Sequence, residues 1–112
     1  METNKLKLLA NAMQAYNLRS QALASNLANL ETPGYKRMSV SFEDSLQEAR
    51  HTIDGMDALG DITPQVDVEE TPPVLEDELM EMADTQMRTQ AVSRALREHF
   101  DSLRIGITGR TG

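Results

Sequence analysis

Two histidines, His51 and His99, are the side chains of this sequence best suited to move protons near neutral pH, and they stand far apart along the chain. A serine or similar nucleophile needs a base that is itself held by a third group, and no G-x-S-x-G or comparable turn accompanies either histidine. They read as an exposed loop residue, His51, and a helix-surface residue, His99. The acidic run Glu76, Asp77, Glu78, Glu81 and Asp84 could suggest a metal site. Helical di-iron sites use Glu-x-x-His on facing helices, whereas here Glu98 directly precedes His99. No D-x-[DN]-x-[DN]-G loop, G-x-G-x-x-G turn or other Gly-rich phosphate loop is present. The lack of cysteine removes disulfides, thiolate metal sites and a cysteine nucleophile together. The acidic run therefore reads as a solvated helix start whose charges match the helix dipole. The expectation is a chain that is not an enzyme, with no catalytic, cofactor-binding or metal residue, no cofactor and no small-molecule substrate.

Stepping from side chains to the whole, 112 residues allow one domain at most. The net charge of −7, with 18 acidic residues against 11 basic ones, argues against nucleic acid and against an anionic membrane surface. No stretch approaches the ~20 apolar residues of a membrane-spanning helix. Lys5 and Lys7 precede Leu8-Leu9-Ala10, and Ala10-Asn11-Ala12 looks like a cleavage site. The apolar stretch falls short of the ~7–15 residues of a signal sequence, and the helical pattern runs straight through it, so no cleavable signal peptide is expected. Tyr16, Tyr35, Phe42 and Phe100 are the only aromatic residues, which suits packing through helix seams better than a compact centre.

Residues 1–31 form the N-terminal helix of this reading, capped at Thr3 and rich in alanine. Leu6, Leu9, Met13, Tyr16, Ser20, Leu23, Leu27 and Leu30 keep 3-4 spacing throughout, a heptad seam. Thr32-Pro33-Gly34-Tyr35 ends the helix. Proline presets φ and glycine accepts the positive φ of a type II turn, so residues 32–37 are a turn. Residues 38–74 are an irregular middle. It holds a short extended piece around Val40 and Phe42, then a short helix with Phe42, Leu46, Ala49 and Ile53 on one face. Residues 54–73 read as an acidic loop or weak strand with little to bury.

Residues 75–107 form the C-terminal helix, with Thr71 as its cap and arginines towards its end. Its seam is Leu75, Leu79, Met82, Gln86, Thr89, Ser93, Leu96, Phe100, Leu103 and Ile107, apolar at both ends and polar in the middle. Met80 and Met87 make a second stripe, which suggests that the helix touches more than one neighbour. The expected fold is all-α: two long terminal helices in an antiparallel hairpin or coiled coil, a short helix and an irregular acidic segment between them. These seams alone describe a helical interaction module, and a soluble coiled-coil adaptor or chaperone-like protein is one such module.

The segment Ser25-Asn26-Leu27-Ala28-Asn29-Leu30-Glu31-Thr32-Pro33-Gly34-Tyr35-Lys36-Arg37 is more specific. Asn-x-x-Asn closing a helix, then Thr-Pro-Gly-Tyr and a basic residue, resembles the N-terminal signature of flagellar axial proteins. Val40-Ser41-Phe42-Glu43-Asp44-Ser45-Leu46, Leu75-Glu76-Asp77-Glu78-Leu79-Met80 and Phe100-Asp101-Ser102-Leu103-Arg104-Ile105-Gly106-Ile107 extend the likeness to both ends of the chain. Together they resemble the flagellar basal-body rod protein family, in its short proximal-rod subunits. The resemblance implies a structural subunit of the periplasm-spanning rod, exported by the flagellar type III route. It implies partners among other rod subunits and the export-gate or membrane-ring base, together with self-association. It also implies roles in the helix end and chain exit for Asn26, Asn29, Thr32, Pro33, Gly34 and Tyr35. The middle is more acidic than the family pattern, and Arg88-Thr89 stands where that pattern has an aromatic residue.

Overall fold

The computed structural model describes residues 2–50 and 59–108. Its longest elements are a helix near each end. Helix α1 spans Glu2–Ala28, strand β1 spans Met38–Ser41 and helix α2 spans Glu43–Arg50. Strand β2 spans Gln65–Val68, and helix α3 spans Leu75–Thr108. Thr3 lies inside α1, so it is not the cap. Thr71 is not the cap of α3 either. That helix starts at Leu75 after Pro72-Pro73, with the Glu78 amide bonded to the Val74 carbonyl at 3.0 Å.

The middle of the chain is more ordered than the sequence reading. β1 and β2 form an antiparallel two-stranded ribbon, with Met38 opposite Val68 and Val40 opposite Val66. The weak alternation Gln65-Val66-Asp67-Val68 becomes a strand because β1 supplies the ladder partner that no local signal could name. The acidic middle is thus not wholly irregular. Expectations for His51, Ile53 and residues 54–58 fall outside the described residues, as does the side chain of Ile107.

The core is narrow. Ala12, Ala15, Tyr16 and Phe42 are buried together, and Leu8, Leu46, Ile62 and Val92 pack around them. Phe42 is the largest fully buried side chain. Small alanines on α1 let β1 and α3 approach its backbone closely. The segment after α2 is tied to α1 by Asn11, whose Nδ2 donates to the carbonyls of Gly60 at 3.1 Å and Ile62 at 2.9 Å. Gly60 lies close against α1, where a Cβ would stand 3.3 Å from the Asn4 carbonyl oxygen, a tight contact.

α1 and α3 pack along much of their length. Asn26 bonds to Glu78, and Tyr16 shares its core with Val92. Partners on α3 therefore rise in number as those on α1 fall. The molecule measures 60 × 34 × 15 Å. A helix with side chains is about 10–12 Å across, so the third dimension holds little more than one helix layer. The radius of gyration is 17.3 Å, against about 13 Å for a compact domain of this length.

Candidate functional site

The Asn-x-x-Asn and Thr-Pro-Gly-Tyr residues gather at the junction where α1 ends, β1 begins and α3 passes. The α1 terminus is closed locally. Asn29 Nδ2 donates to the Ser25 carbonyl at 2.8 Å, and the Asn29 amide bonds to the carbonyls of Ser25 and Asn26. Thr32 Oγ1 donates to Asn29 Oδ1 at 3.0 Å. The Tyr35 amide closes the turn on the Thr32 carbonyl at 3.2 Å. Gly34 sits at φ +77°, the left-handed region that the third position of a type II turn requires.

That turn sends Tyr35 back onto the helix it has just left. The Tyr35 hydroxyl donates to Asn26 Oδ1 at 3.1 Å, so Ser25 Oγ, 2.9 Å away, is its donor. Asn26 is fully buried and uses its whole hydrogen-bonding capacity. Nδ2 donates to the Met38 carbonyl at 2.8 Å and to Glu78 Oε1 at 2.9 Å. Oδ1 accepts from the Met38 amide at 2.9 Å as well as from Tyr35. The side-chain amide thus serves Met38 as a neighbouring strand would, pinning the start of β1 to α1.

Glu78, part of the acidic run that reads as a solvated helix start, is fully buried. Its Oε2 accepts from Arg37 Nε at 2.7 Å. Arg37 also donates through Nη1 to Glu69 Oε2 at 2.6 Å, and Nη2 lies 2.7 Å from Glu81 Oε2 as an ion pair rather than an aligned hydrogen bond. Burial works against the charge of Arg37, but the Glu78 bond and the Glu81 and Glu78 charges outweigh it, raising its pKa. The Arg37 amide bonds to the Thr71 carbonyl at 2.9 Å, and its carbonyl accepts from the Glu69 amide at 2.8 Å. One arginine therefore ties the turn, the end of β2 and the first turns of α3 together. Sequence reasoning missed it, because a single basic residue after the turn carries no sign that three distant carboxylates will converge on it.

A second charged cluster lies one turn further along. Arg19 grips Glu43 with both Nη atoms, at 2.8 and 2.7 Å, and its Nη2 also donates to the Val40 carbonyl at 2.7 Å. The Arg19 guanidinium stands 5.4 Å from the Tyr16 ring centre, a cation–π contact. Arg88 reaches Glu43 at 3.3 Å and Asp84 at 2.8 Å. The Arg19 hydrogen bonds hold the Glu43 carboxyl down at about 2. Burial pushes the Tyr16 hydroxyl up, against the pull of the nearby Arg88 charge. Arg88, which departs from the family pattern, thus has work inside the chain. Thr85 is buried between these clusters with no hydrogen-bond partner for Oγ1.

The apolar seams divide. Tyr16 and Leu23 are buried, while Leu6, Leu9, Met13, Leu27 and Leu30 are half-buried. On α3, Leu96 is half-buried, but Leu75, Leu79, Met82, Phe100 and Leu103 are exposed. The line of α3 that faces α1 is instead Glu78, Thr85, Val92 and His99, one residue per heptad. His99 is accordingly buried and not on the helix surface, with its ring edge-on to Phe100 at 5.7 Å. Among the described residues no group of three or more His, Asp or Glu is arranged to hold a metal ion.

The family model described as flagella basal body rod protein matches residues 6–36, which span α1 and the turn. The chain is 26% identical over 124 aligned positions to flagellar basal body rod protein FlgB of Bacillus subtilis (strain 168), covering 90% of this chain and 91% of that protein. It is 40% identical over 40 residues to flagellar basal body rod protein FlgB of Aeromonas hydrophila, covering 36% of this chain and 30% of that one. No solved structure matches the chain. The matched residues include Asn26, Asn29 and the whole Thr32–Tyr35 turn that form the junction. By these matches the chain is similar to flagellar basal body rod proteins of the FlgB type.

Proposed function

We propose that this chain is a structural subunit of the bacterial flagellar rod that assembles by packing its terminal helices against neighbouring rod subunits. The observation that carries the reading is the apolar seam of α3 left open by the chain's own packing: Leu75, Leu79, Met82, Phe100 and Leu103 are exposed beside a family match at the other end of the chain. A lone helix pair gains little from leaving such residues in water, where each loses about 1.5–3 kcal/mol of burial. Neighbours in the rod would cover them and complete a coiled-coil-like contact.

The surface area agrees. The chain exposes 7889 Å², whereas a compact monomer of 12.5 kDa exposes about 6,200 Å². The excess is about twice what one partner contributes to a standard interface. Contacts that do not close on themselves build tubes and filaments. In this reading the junction at Asn26 and Arg37 sets the angle between the helix pair and the β1–β2 ribbon, and so the shape each subunit presents. The export gate or membrane-ring base would be met at the rod's inner end, after passage through the flagellar export route.

The reading is tested by immunogold labelling of basal bodies isolated from the source bacterium, alongside deletion of the gene. Label confined to the rod and loss of flagella on deletion are expected. Unlabelled basal bodies with normal flagella would sink the reading. A soluble adaptor would give that second result and a discrete dimer in the cytosol.

A further inference from the structure

The open seam of α3 repeats itself. Leu75, Leu79 and Met82 stand at one end, and Leu96, Phe100 and Leu103 stand three heptads later with the same 4-3 spacing. All are exposed except Leu96, which is half-buried. Between them the same seam is polar, at Gln86, Thr89 and Ser93. Charge is divided in the same way. Residues 75–87 hold no base; Glu76 and Asp77 are exposed there, while Glu78, Glu81 and Asp84 are already paired with Arg37 and Arg88 of the same chain. Beyond Arg88, the exposed Arg94, Arg97 and Arg104 outnumber Glu98 and Asp101.

Resting on the rod reading above, we propose that α3 docks on α3 of a second copy of this chain, pointing the same way and shifted by three heptads. That shift is about 30 Å. It sets Leu75 level with Leu96, Leu79 with Phe100, and Met82 with Leu103. It brings the acidic first turns of one copy alongside the arginine-bearing last turns of the next, and Glu76 comes level with Arg97. Opposite charges flanking an apolar seam specify direction and partner in helix pairs. The polar middle stays out of the contact, so no buried polar layer has to be satisfied. Each copy keeps one end of α3 free for the next, so the contact is head-to-tail and open-ended.

The chain has no cysteine, which gives a clean background for crosslinking. The test is the full-length double variant Leu79→Cys/Phe100→Cys under mild oxidation, with each single variant as control. Both positions are about half exposed, so the fold should survive, and circular dichroism checks that it does. The expected result is a ladder of dimers, trimers and longer species from the double variant and no ladder from either single one. A product that stops at the dimer means a closed antiparallel pair and overturns the proposal. Folded protein with no crosslink also overturns it, as does a ladder that forms only when another rod component is added.

Charge gives an independent readout. Glu76→Lys/Asp77→Lys and Arg94→Glu/Arg97→Glu should each weaken self-association at least about tenfold alone, and mixing the two should restore pairing. Unchanged association in both, with no gain on mixing, removes the charge argument and the stagger with it. The same variants followed into basal bodies separate the two ideas: a missing ladder with normal rod labelling removes the stagger alone, and missing labelling removes the rod reading.

Discussion

Arg37 Nε and Glu78 Oε2 meet at 2.7 Å across 41 residues of sequence, and Glu78 is fully shielded from water. Removing one partner of such a pair leaves an uncompensated buried charge. Arg37→Met should therefore destabilise the chain by about 3–5 kcal/mol, and Glu78→Gln in that background should recover part of the loss. Urea unfolding of the two single variants and the double variant completes the cycle; strictly additive losses would mean the two residues do not act together.

Asn26 serves the amide and carbonyl of Met38 together. Asn26→Ala should cost about 3 kcal/mol, since it strands buried backbone groups and one oxygen of Glu78. Asn26→Asp should be at least as harmful, because it loses the Nδ2 donors and sets a second carboxylate against Glu78. Hydrogen exchange localises the effect: the Met38 amide should lose protection before those of mid-α1.

Gly34 tests the turn by itself. A Cβ there meets nothing within 4 Å, so only the positive φ resists substitution. Gly34→Ala should cost about 1–2 kcal/mol, and Gly34→Asn less. A loss of 4 kcal/mol in urea unfolding would show that the turn is tied into packing that its surroundings do not explain.

The Arg19–Glu43 pair contributes to acid sensitivity. Glu43 ionises at about 2 in the folded chain, well below the ordinary value of 4.5. A folded pKa below the unfolded one gives stability that is present above about 4.5 and lost as pH falls towards 2. The Glu43 side chain is 36% exposed, so screening trims its contribution to about 1–2 kcal/mol. Stability measured from pH 5 to pH 2 should fall less steeply in Glu43→Gln than in the parent; parallel curves would contradict the assignment.

Thr85 presents the reverse case. Its Oγ1 is buried with no partner, and Thr85→Val removes the stranded hydroxyl while keeping the shape. The variant should be more stable by about 0.5–1 kcal/mol. Destabilisation on thermal or urea unfolding would mean that the hydroxyl is satisfied in solution.

The sequence by itself determined the two long helices and the turn between α1 and β1, because alanine content, heptad spacing and the Pro33-Gly34 pair act over one or a few turns of chain. It also carried the resemblance, since Asn26, Asn29 and Thr32–Tyr35 form one contiguous signature. The tertiary structure decided what those residues hold. The stretch that reads as an acidic loop or weak strand became β2 only through its pairing with β1. Glu78 looked solvated because its neighbours are acidic, yet it is buried; a carboxylate can leave water only where donors wait for it, and those donors, Asn26 and Arg37, lie 52 and 41 residues away. That pairing turns the Glu78, Thr85, Val92 and His99 line of α3 towards α1. It leaves the more apolar seam outside, and no periodicity in the sequence could have chosen between those two faces.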